Sequence, residues 1–264
     1  MAGYEVVHVA VAAPNIPEPE IIKKVATIVT RDPYQTRLLL SGGLPRLIAH
    51  YHSLQEAEST ARNLRDLGLA AFVCKDSELR KPSKVFTVHT VEFLDGETIF
   101  HDKGGQTKRI PSSDVFLILK SSLQTPEEEE TTETKRKINW GATLLTGGIP
   151  IYRNVKEKVS GATVREEPIV RLYNRESSEP AVQMSQHGMA YSFLGARIAP
   201  SSAANFNTVV AKLQELFPRA IFDDRLMKSS KSDAPSARAP DDLELNCKLL
   251  YLYYKTKSGL SRSE

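Results

Sequence analysis

The chain has 264 residues, a formal charge of +3 at pH 7 and 25% charged residues, which allows two hydrophobic cores and excludes wholesale disorder. The near-neutral balance lacks the concentrated basic footprint of a nucleic-acid binder, and no apolar run reaches the ~20 residues of a membrane-spanning helix. Cys74 and Cys247 lie far apart without CxxC or Cys/His spacing, which argues against a disulfide framework or a structural zinc site.

The N-terminus lacks the pattern of a secretory signal, so the expected location is cytoplasmic. Tyr4–Ala12 alternates with apolar residues on both faces, as a central strand does. Ile21, Ile22, Val25, Ile28 and Val29 then repeat at helical spacing over 18–30. Asp32-Pro33 is a helix start, and Gly42-Gly43 ends that second helix in the left-handed region. A strand over 45–51 follows. Ser53 and Glu56 form a capping box for a helix whose buried stripe is Ala57, Ala61, Leu64 and Leu67. Ala70, Phe72 and Cys74 alternate as the last strand of this β-α-α-β-α-β module, residues 1–76.

A polar linker with Pro82 occupies 77–84, and the rhythm then changes. Strands over 85–93, 97–102, 106–110 and 115–121 are separated by Asp95-Gly96 and Gly104-Gly105, both hairpin signals. Residues 122–165 read as a polar insertion whose acidic run, Glu127 to Glu130, precedes Lys135-Arg136-Lys137. Strands resume at 168–174 and 181–186, with another expected over 189–194. A helix capped by Ser201 or Ser202 buries Phe206, Val209, Val210, Leu213, Leu216 and Phe217, and Pro218 stops it. The second module is thus 85–228. Residues 229–242, rich in Ser, Ala and Pro, read as a disordered linker, and 243–264 as a terminal helix or tail with Leu245, Leu249, Leu252 and Tyr253 on one face.

Over residues 4–76, the element order resembles the C-terminal domain of the large-subunit ribosomal stalk protein and the related ClpS-type adaptors. The local texture resembles them too, in Ile21-Ile22-Lys23-Lys24-Val25 and in Glu56-Ala57, Asn63-Leu64 and Leu67-Gly68. The resemblance implies a small α/β sandwich that docks onto other proteins. The junction Thr30-Arg31-Asp32-Pro33-Tyr34 departs from the lysine- and glycine-rich surface of the stalk domain. Ile16-Pro17 after Asn15, with no histidine in 33–40, departs from the degron site of the adaptors. Residues 85–226 resemble a pleckstrin-homology-like barrel with a closing helix, on the strand series and on Ile110-Pro111-Ser112-Ser113-Asp114-Val115. That resemblance implies binding of peptides, lipids or proteins without catalysis. The chain as a whole resembles bacterial proteins of unknown function that carry the phrase seen here as Asp223-Asp224-Arg225-Leu226.

Few residues carry candidate chemistry. His50 and His52 share a strand face, and Glu56 lies just beyond Ser53, so the three are weak candidates for a metal site. His89 and His101 fit a structural cross-strand pair. The turns of Leu39-Leu40-Ser41-Gly42-Gly43-Leu44-Pro45 and Leu144-Leu145-Thr146-Gly147-Gly148-Ile149-Pro150 echo each other but lack the Lys-Ser/Thr of a phosphate loop, and read as strand-starting turns. Asp223 and Arg225 suit a tether, since adjacent carboxylates on an extended chain diverge. The apolar island 138–152 supplies candidate partner-binding residues Trp140, Leu144, Leu145, Ile149, Ile151 and Tyr152, or else caps the barrel.

The expected fold class is α+β, a small α/β sandwich followed by an antiparallel pleckstrin-homology-like barrel. The expected function is that of a non-enzymatic, cytosolic interaction or regulatory protein that binds a protein partner, without catalytic residues, cofactor or nucleic acid. The alternatives are a peripheral lipid-sensing module that uses the barrel and the island, and a metal-dependent hydrolytic enzyme.

Overall fold

A computed structural model of the protein describes residues 5–13, 15–138, 152–228 and 240–260. The fold is mixed α+β, in two compact units: Met1–Leu123 with Glu167–Glu264, and Gln124–Glu166. The first module runs β1 (Val7–Ala12), α1 (Pro19–Ile28), α2 (Pro33–Leu40), β2 (Arg46–Tyr51), α3 (Leu54–Asp66) and β3 (Ala70–Lys75), in the expected order. Its antiparallel sheet has the order β2-β1-β3, so the strand that is apolar on both faces is central. The caps also form as the sequence indicates: Asp32 accepts from the N–H groups of Tyr34 and Gln35, and Ser53 from that of Glu56. One face of β1, Val7, Val9 and Val11, packs with Ile22, Val25, Ala57, Ala61 and Leu64.

The other face of β1 has a cover the sequence reading did not foresee. Ala10, Ala12, Phe72 and Cys74 pack against Leu249 and Tyr253 of a helix at the far end of the chain, α6 (Pro240–Leu260). Residues 77–84, expected as a linker, overlap a short helix, α4 (Asp76–Arg80), whose Leu79 joins the same cluster.

The second module opens with a three-stranded antiparallel meander, β4 (Thr90–Phe93), β5 (Glu97–His101) and β6 (Thr107–Pro111). Gly96 (φ 85°) and Gly105 (φ 80°) supply the left-handed turn residues that the hairpin signals called for. A four-stranded sheet follows in the order β10-β7-β8-β9, from β7 (Val115–Ile138), β8 (Tyr152–Asn174), β9 (Val182–Ser185) and β10 (Ile221–Asp223). The segment 86–88 bonds to Gln183 of β9 in parallel fashion before the chain enters β4, so it links the two sheets. Helix α5 (Ser202–Leu216) lays Phe206, Val209, Val210 and Leu213 over Val91, Phe100, Ile118, Val170 and Val182.

Two expectations are corrected. No closed barrel forms among the described residues, and β10 joins β7 in parallel rather than antiparallel fashion. Residues 122–138 and 152–165, read as part of an insertion, belong to β7 and β8, and Gln124–Glu166 is a compact unit of its own. The strand expected over 189–194 is instead a 3₁₀ segment, Tyr191–Arg197. Consecutive Phe193 and Leu194 both lie against the core, which a period of two forbids and a tighter helical turn permits. The island residues Trp140, Leu144, Leu145, Ile149 and Ile151 lie outside the described residues, as do 229–239 of the expected disordered linker, and Tyr152 is the first residue of β8.

Helix α6 is apolar on two sides. The expected face, Leu245, Leu249, Leu252 and Tyr253, meets the first sheet. A second face, Leu243, Cys247, Leu250 and Tyr251, meets Phe116, Leu117, Leu119, Ile169 and Tyr173 of β7 and β8. A helix that is apolar around most of its circumference belongs in an interior. Each fully buried side chain of this size contributes about 1.5–3 kcal/mol. Leu250→Ala should therefore lower unfolding free energy by about 2–5 kcal/mol in urea denaturation, whereas Leu54→Ala, on a side chain 53% exposed, should stay within about 0.5 kcal/mol.

Candidate functional site

The face of β1 that meets α6 also carries one polar residue, His8. The register sets it opposite His50 of β2 and Cys74 of β3. Its Nδ1 lies 2.6 Å from Nδ1 of His50, with the rings edge to face, and its Nε2 lies 2.9 Å from Asp76 Oδ1. Asp76 opens α4, and Arg80, one turn later, donates to both of its carboxylate oxygens at 2.8 and 2.7 Å.

This chain of contacts fixes where protons sit. An ionised carboxylate only accepts, so His8 donates from Nε2. Between the two Nδ1 atoms there is room for a single hydrogen, donated by one ring and accepted by the other. Both rings cannot be cationic while the contact lasts. The bonds from Arg80 and then His8 hold the Asp76 carboxyl below the usual carboxylate range. Burial, and then the charges of His8 and Arg31, push His50 below the ordinary histidine value, against the pull of Asp76.

A second polar cluster faces the first. Arg171 of β8 donates to Glu244 of α6 at 2.6 Å and to Gln183 of β9 at 2.8 Å. The Ser83 hydroxyl also donates to Glu244. The Lys248 ammonium, almost wholly buried, donates to the carbonyls of Glu78 (3.3 Å), Leu79 (3.2 Å) and Lys81, and stands 3.7 Å from Glu244. It thereby satisfies carbonyls at the end of α4 that have no partner within the helix. Burial alone would raise the Glu244 carboxyl, but Ser83, Arg171 and Lys248 together hold it below its ordinary value.

Between the two clusters lies a cleft of about 730 Å³. Leu47, Leu79, Val85 and Leu245 supply its apolar lining, and Arg80 and Lys81 stand at its rim. The Arg80 and Lys81 side chains are 80% and 67% exposed, and Lys81 bonds Glu179 at 2.6 Å. Chemically, the cleft offers apolar contact framed by charges, most of them paired, with the Asp242 carboxylate also in its lining and one imidazole, His50, whose proton affinity burial lowers.

Of the three metal candidates only His50 lines this cleft. His52 ends the β2 turn and Glu56 sits in the first turn of α3, both exposed. No hydrogen bond or ion pair joins the three among the described residues, and no group of three or more His, Cys, Asp or Glu there is arranged to hold a metal ion. His89 and His101 do pair through the backbone, His89 N–H donating to the His101 carbonyl at 2.7 Å, while the His89 ring contacts the Gly188 carbonyl. The Asp-Asp-Arg-Leu phrase is a tether, as its chemistry suggested. Asp223 accepts from the Arg225 backbone and guanidinium and from Tyr254, while Arg225 reaches the carbonyl of Gly43 in the Gly-Gly turn.

His8, Asp76, Arg171, Glu244 and Lys248 escaped the sequence reading. Three of them left a trace: a histidine in an otherwise apolar strand, an aspartate where a strand gives way to a helix, a lysine inside the apolar run of α6. Polar residues at positions that periodicity assigns to a core are the signal to follow. The chain matches no known protein family, and no curated protein or solved structure is significantly similar to it. No helix among the described residues is long and apolar enough to cross a membrane.

Asp76, Glu244 and His50 all have folded values below their unfolded ones. The stability each contributes is complete above the unfolded value, about 4 for the carboxylates and about 6.5 for histidine, and is lost as pH falls through the folded value. Urea midpoints should therefore fall from pH 7 towards pH 3. Glu244→Gln, less stable than wild type at pH 7, should show a shallower loss below about pH 4.

Proposed function

We propose that this chain is a non-enzymatic binding protein that takes an extended segment of a partner protein into the cleft between His50 and Glu244. The observation that carries the proposal is the pairing of the cleft's ionisable groups. A general acid or base needs a proton affinity near working pH and a free reactive atom. Three partners hold Glu244 and two hold Asp76 below their ordinary values, and His50, with its Nδ1 engaged by His8, keeps only Nε2 for a ligand. Beside it, the apolar lining, the Asp242 carboxylate and a rim of Arg80 and Lys81, each paired with an acid, meet a ligand, and a cleft of this size suits a few side chains of a bound segment.

The architecture supports the same reading. Strands β4 to β9 followed by α5 are consistent with kinship to pleckstrin-homology-like modules, and the sandwich with kinship to stalk- or ClpS-type modules. Both are built for docking. A cytosolic setting fits the two buried free thiols.

A photo-reactive phenylalanine in place of Pro82, at the cleft rim, should yield a discrete adduct in native lysate, whereas one in place of Glu92, on β4, should not. Val85→Asp should reduce that adduct about tenfold with little change in melting temperature. Equal adducts from both positions, or an adduct insensitive to Val85→Asp, would remove the proposal.

A further inference from the structure

Strand β2 is the outermost strand on its side of the first sheet, and no strand pairs with its outer edge among the described residues. The register shows which backbone groups point out from that edge. The Asp76 N–H donates to the Val6 carbonyl at 2.9 Å, so Val6 bonds towards β3. In an antiparallel sheet, successive residues of a strand bond to opposite sides. Val7 and Val9 therefore bond towards β2, where Tyr51 and Ala49 face them. His50, between those two, turns its N–H and C=O away from β1, and the residue is exposed.

The two faces of the sheet differ at this edge. Ile48 is an extra residue where the register shifts, and it joins Ala49 and Tyr51 in the cluster on the helix side. Leu47 and His50 belong to the opposite face and line the 730 Å³ cleft. A second cleft, of about 520 Å³, lies on the helix side between Ile48, Tyr51 and the junction of α1 with α2. His50 borders both, so the unpaired edge runs between them.

The second cleft is polar where the first is apolar. Thr30, in the left-handed conformation (φ 53°), ends α1, and the Arg31 N–H donates back to the Ala26 carbonyl at 2.9 Å. Arg31 lines the second cleft, and its charge is felt at His50. No hydrogen bond or ion pair engages its guanidinium among the described residues. The carboxylate beside it, Asp32, already accepts from two N–H groups as the cap of α2.

A strand laid along this edge meets both clefts at once. Its residue facing His50 lies on the same face as His50 and sends its side chain towards Leu47, Leu79 and Val85. The next residue points the opposite way, towards Arg31. Such strand addition draws affinity from main-chain hydrogen bonds and specificity from the pockets that take alternate side chains. The register shift at Ile48 keeps the ladder short, which leaves more of the recognition to the pockets.

We infer that the partner segment bound in the cleft adds as a short strand to the outer edge of β2, with an apolar residue facing His50 and an acidic residue beside it facing Arg31. This mode of binding rests on the binding role proposed for the cleft.

Random nonapeptides displayed on phage and selected on the full chain provide the test. Selected sequences should alternate an apolar residue with Asp or Glu, and selection on Arg31→Glu should exchange those acids for Lys or Arg. In a synthetic copy of the leading peptide, an N-methyl group moved along the backbone should weaken binding about tenfold or more at alternate residues, and by less than about threefold at those between. Saturation with the same peptide should slow amide hydrogen exchange at His50 about tenfold or more. Binding that falls with Val85→Asp but not with Arg31→Glu, with no alternation in the N-methyl series and no slowing at His50, would keep the cleft as the binding site and overturn strand addition. Peptides indifferent to Val85→Asp, or a selection that yields none, would remove the cleft's binding role and strand addition with it.

Discussion

The architecture depends on one buried element, the helix α6. Its two apolar faces are covered by different sheets, the Leu249 and Tyr253 side by β1 and β3, the Leu250 and Tyr251 side by β7 and β8. Neither sheet could leave those faces to water without exposing several large side chains at about 1.5–3 kcal/mol each. The first module therefore shares one compact unit with residues 85–123 and 167–228 of the second, although their connection passes through only a few residues. The tether of Arg225 to Asp223, Tyr254 and the Gly43 carbonyl adds a polar latch at the same junction.

Bringing helix and sheets together also creates the cleft. Glu244 and Lys248 lie one turn apart on α6, so the element that closes the core also positions the polar groups at its margin. Lys248 ends α4, α4 presents Asp76 and Arg80, and Asp76 orients His8, which engages His50. Each of these groups bonds to the next, which favours the burial of such a network.

Much of the local structure was legible in the chain. The first module reads element by element, because its helices have stripes at helical spacing, caps at Asp32 and Ser53, and glycines at turns that need positive φ. The hairpins at Asp95-Gly96 and Gly104-Gly105 were equally plain, as was the role of Asp223 and Arg225. The outer lengths of β7 and β8 were not, because their charged sequence lacks apolar alternation. The 3₁₀ segment at Tyr191 was not, because alternation up to Phe193 imitates a strand. His50 was singled out for a metal with His52 and Glu56, yet its neighbour in space is His8, 42 residues away.

The sequence by itself determined the elements and their caps, since these depend on residues within a turn or two of one another. Only the tertiary structure decided that α6 is interior on two sides, that the described strands form open sheets rather than a closed barrel, and that His8, Asp76, Arg171 and Glu244 converge on one cleft. The reason is physical. Periodicity reports that a face is buried, but not by what, and the partner of a buried polar group is chosen by strand register and helix docking between segments far apart in the chain.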